Sequence, residues 1–165
     1  MTRFTALRRA LSTLGAAPPC AGRPTLPALS SFPFSLPLDL RWEDNDAYGH
    51  VNNVRYYSFF DTCVNRMLLQ RGLLSLPPAP GAPIGLVAAS ACTFHAPLAF
   101  PGAATVALRV ERLGTSSVTY ALAVFGGGGG CAASGSYTHV YVDASTRRPL
   151  PALPARMREA LAQLA

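Results

Sequence analysis

The chain has 165 residues, which is enough for one domain with its own hydrophobic core. Half of the residues are hydrophobic and only 13% are charged, a composition typical of a globular protein that excludes an intrinsically disordered one. The net charge is +6, but from residue 39 onward ten arginines stand against eight acidic residues, a net of +2. This nearly neutral region lacks the clustered arginines with interleaved aromatics that a nucleic-acid-binding surface needs.

The first 30 residues are predicted to be a cleaved organellar transit peptide and linker. Phe4, Leu7, Leu11 and Leu14 recur at helical spacing among arginines, and no acidic residue precedes Asp39. Because this amphipathic segment begins almost at the first residue, we expect a mitochondrial protein rather than a plastid one. A start assigned too far upstream is the alternative and would predict a cytoplasmic protein. Residues 31–165 are predicted to form a single domain.

The cysteines indicate a reducing compartment. Cys20, Cys63, Cys92 and Cys131 are far apart and form no C-x-x-C pair, so neither a zinc site nor a disulfide framework is expected. Cys63 and Cys92 fall in predicted secondary structure and are expected to be buried free thiols. No run of 18 apolar residues is present, so no membrane span is predicted.

A polar cluster lies between the first predicted strand and the first predicted helix. Residues 34–42 alternate between apolar and polar side chains, which predicts a half-buried strand. A long apolar helix is predicted from residue 54 to about 71, with Asn52 or Asn53 as its N-cap and Gly72 as its stop. Free N–H groups and the positive end of the helix dipole meet the cluster there, so a carboxylate could act beside an oxyanion site. Turn formation and helix capping are the alternative explanation.

The rest of the chain is predicted to be mostly strands. The predicted helix is apolar nearly all round, so we expect it to be buried on most sides. Strands are predicted at 84–96, 104–113, 116–125 and 132–143, with a tight turn at 114–115 and a short helix at 156–164. The five glycines at 126–130 predict a flexible hairpin tip rather than a phosphate cradle. The order β–α–β–β–β–β predicts an antiparallel sheet wrapped around one helix, and because one helix cannot cover five strands we also expect dimerisation.

The segment DNDAYGHVNNVRY at 44–56 resembles the signature of the hot-dog-fold thioesterases in the 4-hydroxybenzoyl-CoA thioesterase-like branch. It is also similar to the matching segment of plant acyl-carrier-protein thioesterases. Segments 92–98 (CTFHAPL), 112–118 (RLGTSSV) and 147–149 (RRP) extend the resemblance to about residues 34–155. The resemblance implies an α+β hot-dog fold, in which an antiparallel sheet of about five strands wraps one long central helix. It also implies a homodimer or homotetramer with active sites at subunit interfaces.

The resemblance further implies an acyl-CoA thioesterase that releases a free carboxylic acid and CoA with no metal and no redox cofactor. Asp46 matches the family's catalytic carboxylate, acting as general base or as nucleophile. Backbone N–H groups near Asn52 and Asn53 would meet the oxyanion. His50 would either polarise the substrate or only hydrogen-bond within the turn, and Asp44 is expected to be structural.

Further residues are implied to bind the substrate. Ser116 and Ser117 would contact the pantetheine arm or the opposing subunit, and the arginines would hold the CoA phosphates unless they are solvated loop residues. His95 and His139 are expected to be ordinary sheet residues. The implied substrate-binding set is Tyr48, Gly49, Asn52, Tyr57, Arg112, Ser116, Ser117, Arg147 and Arg148.

Two other functions stay open. The carrier-protein enzymes have an asparagine two residues after the catalytic aspartate, and Tyr48 stands there in this chain, so acyl-carrier-protein hydrolysis is an alternative with a weaker match. The second alternative is a non-catalytic acyl-CoA-binding protein on the same fold, because a fold does not determine a function.

Overall fold

The structure is a computed structural model that describes residues 25–165. Most of the predicted transit segment therefore lies outside the described residues. The elements are β1 (Phe34–Asp39), α1 (Asn53–Gln70), β2 (Ile84–Phe94), β3 (Ala103–Leu113), β4 (Ser117–Gly126), β5 (Cys131–Val142) and α2 (Ala155–Ala162), with short 3-10 turns at Leu29–Ser31 and Trp42–Asp44.

The five strands form one antiparallel sheet in the order β1-β3-β4-β5-β2. This confirms the predicted element order and the α+β architecture. The turn between β3 and β4 is closed by a 2.8 Å hydrogen bond from Gly114 N to Ser117 O. The glycine run joins β4 to β5 as a hairpin tip, closed by a 3.0 Å bond from Gly126 N to Gly130 O. Pro37 lies in edge strand β1, where its missing N–H is tolerated.

One face of the sheet packs on α1, and the core lies between them. The apolar residues on the inward side of α1 recur at helical spacing and are buried. Val54 and Tyr57 are 60% and 37% exposed, so the expectation that this helix is buried on most sides was wrong. It is an amphipathic helix with one apolar face, since nothing else in the described chain covers its outer side. The buried residues of α1 are Tyr56, Phe59, Phe60, Cys63, Val64, Met67 and Leu68.

Strand β2 is an edge strand with much of its surface exposed. Leu86, Val87 and Phe94 are 41%, 50% and 47% exposed, which is unusual for an apolar strand of 11 residues. Cys92 is only half-buried rather than buried as predicted, because β2 has β5 on one side and no strand of residues 25–165 on the other.

The strand pairing defines two ends of the domain. Asp39 pairs with Ala103 and Phe94 with Ala133, so these residues share the end at which α1 begins. Leu113 pairs with Val118 and Ile84 with Val142, at the opposite end, where α1 ends. The polar cluster and the arginine-bearing turns therefore lie at opposite ends of one chain.

Candidate active site

The carboxylate of Asp46 is fixed by the backbone of its own turn. Its Oδ1 accepts hydrogen bonds from Tyr48 N at 2.8 Å and His50 N at 3.3 Å. The Asp46 N–H donates to His50 O at 2.8 Å, and Gly49, at φ +81°, lets the chain reverse between them. Oδ2 accepts no hydrogen bond from the described residues, so it is available to water or substrate.

The helix start supplies a free N–H group beside this turn. Asn52 is the N-cap of α1, and its side-chain oxygen accepts a 3.1 Å bond from Val54 N, as predicted. Its own N–H donates to Asp44 O at 2.8 Å. The N–H of Asn53 has no acceptor among residues 25–165, so it can donate to an oxyanion at the positive end of the helix dipole.

Asp46 and Asn53 line one open cavity of about 450 Å³. Its walls come from the start of α1 and from the end of β2, so strand, turn and helix meet at one place. The rings of Tyr56 and Phe94 meet edge to face at 5.1 Å and form an apolar wall. The complete lining is Asp46, Val51, Asn53, Tyr56, Phe94, His95, Ala96 and Pro97.

His95 is a cavity residue that the sequence analysis missed. It was expected to be an ordinary sheet residue, but it lines the cavity with Asp46, and its Nε2 lies 2.8 Å from Ser134 Oγ. That contact holds the ring in place. A signal was available, since His95 belongs to one of the segments that carry the family resemblance.

Asp44 is fully buried and paired. Its Oδ2 accepts a 2.7 Å bond from Arg41 N, and its Oδ1 lies 3.3 Å from Arg41 Nη2 and 3.6 Å from Arg55 Nε. The hydrogen bond to Asp44 raises the pKa of Arg41, and the buried carboxylate of Asp44 has no side open to a substrate. The geometry agrees with the structural role expected of Asp44.

Asn45 joins the turn to the segment before β3, a role that the sequence analysis did not assign. Its Oδ1 accepts from Phe100 N at 3.0 Å and its Nδ2 donates to Phe100 O at 3.4 Å. Val51 N adds a 2.7 Å bond to Leu98 O. Together these bonds hold the turn of Asp46 against residues 98–100.

The side chains of the other predicted residues of this turn are exposed. The His50 ring is exposed, and the contacts that this residue makes with Asp46 are those of its backbone. Tyr48 is 86% exposed. Tyr57 lies on the outer side of α1 and does not line the cavity of Asp46. The centroid of its ring lies 6.5 Å from that of Phe60.

The structure does not bring the predicted CoA-binding residues to Asp46 within one chain. Arg112, Ser116 and Ser117 lie at the β3–β4 turn, at the opposite end of the sheet. The 11 residues of β3 alone span about 33 Å at roughly 3.3 Å per residue. These residues could share a substrate with Asp46 only if they came from a second subunit.

Arg147 and Arg148 are exposed at the same far end, on a turn that hydrogen bonds to Asp143 close. Asp143 Oδ1 accepts from the N–H and hydroxyl groups of Ser145 and Thr146 at 2.7–3.1 Å. These bonds lower the pKa of Asp143 to about 2, the side chain of Ser145 having the largest effect. Arg147 has φ +57°, and the turn presents both guanidinium groups to solvent.

Within residues 25–165, no cluster of three or more His, Cys, Asp or Glu could hold a metal ion. No helix in that range is long and apolar enough to cross a membrane.

Known proteins similar to this chain share its fold. The PA5185 protein of Pseudomonas aeruginosa is 48% identical, with a TM-score of 0.78, over 84% of this chain and 95% of that one. A Staphylococcus aureus protein solved in complex with CoA is 21% identical, with a TM-score of 0.73, over 79% and 82% of the two chains. A 1,4-dihydroxy-2-naphthoyl-CoA thioesterase from Synechocystis is 18% identical, with a TM-score of 0.71, over 79% and 96%.

A search of curated proteins gives no match. The sequence of residues 40–162 matches the thioesterase-like superfamily, and the match contains the turn of Asp46, α1 and the sheet from β2 to β5. The hot-dog fold implied by the sequence is confirmed. The chain belongs to the thioesterase-like superfamily.

Proposed function

We propose that this protein hydrolyses acyl-CoA thioesters to a free carboxylic acid and CoA. The proposal depends on one observation: a carboxylate oxygen and a helix N–H group, each without a partner, belong to residues that line the same cavity. Asp46 Oδ2 and Asn53 N both lack partners among the described residues, and both residues line that cavity. A thioester carbonyl placed between them would have an acid–base group on one side and an oxyanion donor on the other.

The chemistry follows from these two groups. As general base, Asp46 would take a proton from water as the water oxygen attacks the thioester carbonyl carbon, and the C–S bond breaks as CoA leaves as the thiol. As nucleophile, Asp46 would itself form the bond to carbon while the C–S bond breaks and CoA leaves as the thiolate, and water would then hydrolyse the resulting anhydride to the free acid and the Asp46 carboxylate. In either case the negative oxygen formed on the carbonyl is stabilised by Asn53 N–H and the dipole of α1. His95, held by Ser134, is placed to contact the same substrate.

We propose a homodimer formed through β2. The strand offers 11 residues of unpaired edge with exposed Leu86, Val87 and Phe94, and pairing would cover this edge. Antiparallel pairing would bring the far end of one subunit beside the Asp46 end of the other. That arrangement would let Arg147 and Arg148 of the partner subunit reach the phosphates of CoA bound at Asp46. The CoA complex of a protein with the same fold supports a CoA ester as the substrate class.

The test is thiol release by the full chain from short, long and aromatic acyl-CoAs, compared with Asp46→Asn. Asparagine keeps the shape and can still accept the Tyr48 N–H bond, but it is neither base nor nucleophile. We expect a loss on the order of a hundredfold or more in kcat. Asp39→Asn, an exposed aspartate in β1, is the matched control and should keep its rate.

The other outcomes separate the alternatives. A rate that survives in Asp46→Asn would contradict the assignment of the carboxylate. Turnover of acyl-carrier-protein thioesters without turnover of acyl-CoA would favour the carrier-protein alternative. Tight binding of acyl-CoA with no thiol release would indicate a binding protein.

A further inference from the structure

His95 is fixed in the wall of the Asp46 cavity by its backbone and by its ring. Its backbone N–H donates to Ala132 O at 2.8 Å, which ties the residue to the start of β5. Its Nε2 lies 2.8 Å from the hydroxyl oxygen of Ser134, which is also on β5. Ser134 itself does not line the cavity. The ring is therefore held by a side chain that stands outside the cavity.

The two ring nitrogens of His95 have different surroundings. Nε2 meets Ser134 Oγ, whereas Nδ1 has no hydrogen-bond partner within residues 25–165 and is not enclosed, so water can reach it. A neutral imidazole carries a proton on one nitrogen and a lone pair on the other. When Nε2–H donates to Ser134 Oγ, the lone pair is on Nδ1 and can accept a proton. As acceptor of that bond, the hydroxyl of Ser134 stabilises the tautomer that can act as a base.

Two other titratable side chains line this cavity, those of Asp46 and Tyr56. Tyr56 is 3% exposed, and burial raises its pKa above the ordinary value of about 10, so the phenol keeps its proton at neutral pH. Carboxylates are ionised but weakly basic at neutral pH, which suits Asp46 Oδ2 to attack carbon better than to accept a proton. An imidazole accepts a proton readily in this range, so His95 is the base that the cavity offers.

The nucleophilic route through Asp46 needs such a base. In its first step the Asp46 carboxylate forms an anhydride with the acyl group. The same carboxylate cannot then take a proton from the water that hydrolyses the anhydride. A second group in the cavity has to do so, and Nδ1 of His95 is accessible to that water.

We propose that His95 is the general base of this second step and that Ser134 is its positioning residue. The water oxygen bonds to the acyl carbon of the anhydride as Nδ1 of His95 takes a proton from the water. The bond from that carbon to the Asp46 oxygen breaks, and its electron pair restores the carboxylate. The imidazolium gives its proton to the CoA thiolate released in the first step, so one thioester and one water become a carboxylic acid and a thiol. This inference rests on the proposed thioesterase function.

The first test separates the two steps by rapid mixing. The full chain and its His95→Gln variant are mixed with whichever of acetyl-CoA, decanoyl-CoA and benzoyl-CoA the wild type hydrolyses fastest. Glutamine can still bond Ser134 but cannot accept a proton. His95→Gln should release about one thiol per active site rapidly and then turn over on the order of a hundredfold more slowly than the wild type. Acid quench and mass spectrometry should find the acyl group on the peptide that carries Asp46.

The other outcomes of this test are distinct. Slow thiol release by His95→Gln from the first turnover, with no burst and no acylated peptide, overturns the proposal while the wild type remains a thioesterase. No thiol release by the wild type from any of the three thioesters would contradict the thioesterase function, and this inference with it.

Chemical rescue gives a readout that a purely structural role of His95 would not move. His95→Ala removes the ring, and imidazole added to the buffer should restore turnover because the free base can take the proton from water. The same imidazole should not restore Asp46→Asn, which lacks the nucleophile. No restoration of His95→Ala, or equal restoration of both variants, overturns the proposal.

The positioning role of Ser134 is tested by a conservative pair of variants. Ser134→Ala should lower kcat about tenfold with little change in KM, because the ring loses the bond that sets its tautomer. Ser134→Thr keeps a hydroxyl and should keep the rate. Thr138→Val, four residues further along β5, removes a 3.1 Å bond between the hydroxyls of Thr138 and Thr119 and is the matched control. Should His95→Gln fail to fold, this pair decides, and an equal kcat in Ser134→Ala and Ser134→Thr overturns the proposal.

Discussion

The side chain of Asn45 and the backbone of Phe100 form a reciprocal pair, with Phe100 N donating to Oδ1 at 3.0 Å and Nδ2 donating to Phe100 O at 3.4 Å. These two bonds connect the turn of Asp46 to a segment 55 residues later in the chain. A mobile carboxylate loses much of its effect, because catalysis depends on a fixed geometry.

Asn45→Ala should therefore lower both stability and activity. Loss of two part-buried hydrogen bonds should lower the free energy of unfolding by about 1–3 kcal/mol. We expect kcat to fall about tenfold because the turn is no longer held. Chemical denaturation and thiol release measure the two effects. Gln163→Ala, which removes an exposed side-chain amide bonded to Arg71, is the control; an equal kcat in both variants would contradict the positioning role of Asn45.

Gly49→Ala tests the turn without changing any side-chain contact. Gly49 has φ +81° and no atom within 4 Å of an added Cβ, so the cost is backbone strain of about 1–2 kcal/mol. Gly129 has the same φ and the same open space at the hairpin tip between β4 and β5. Both alanine variants should lose similar stability, and only Gly49→Ala should lose activity. Equal activity of the two variants would show that the turn tolerates the change.

Val87→Arg should dissociate the proposed dimer and abolish most of the activity. Val87 is half exposed on β2, and pairing of the two edges would bury a guanidinium group of each subunit without a partner charge and remove its hydration. Light scattering gives the mass in solution, and thiol release gives the activity. Leu76→Arg, at a position 72% exposed in the loop after α1, is the matched control. A Val87→Arg protein that keeps both its mass and its rate would rule out this edge as the interface.

His139 should make stability depend on pH. Burial lowers its pKa in the folded state below the ordinary value of about 6.5, so the unfolded chain binds more protons between the two pKa values. The stability that the neutral His139 contributes is fully present above about pH 6.5. It is lost as the pH falls through the interval between the unfolded and the folded pKa. Denaturation of His139→Gln at several pH values should show a weaker fall than the wild type. Thr119→Val, which changes no titratable group, should keep the pH dependence of the wild type.

Cys63 should resist alkylation while the protein is folded. Its side chain is fully buried, and burial raises the pKa of the thiol to about 12, so little thiolate forms at about pH 8. Peptide mapping after iodoacetamide treatment should find Cys63 modified in concentrated guanidinium and unmodified without it. Rapid native labelling would mean that α1 separates from the sheet in the folded protein.

The local features of the fold were determined by the sequence. The alternation in β1, the Asn52 cap, the stop at Gly72 and the turn at Gly114 are set by neighbouring residues, and the structure places them as predicted. The position of Asp46 between strand and helix was likewise determined by neighbouring residues, because the turn and cap residues lie within ten positions of each other.

Only the tertiary structure decided which distant residues meet. The bonds between Asn45 and Phe100 and the place of His95 beside Asp46 depend on β2 and β3 entering one sheet at a particular register. The separation of Arg112, Arg147 and Arg148 from Asp46 follows from strand direction, which no single segment encodes. The exposure of Val54 and Tyr57, and of one side of β2, follows from which surfaces the rest of the chain leaves uncovered. Spacing along the chain predicts an element, whereas contacts between elements depend on how the whole core packs.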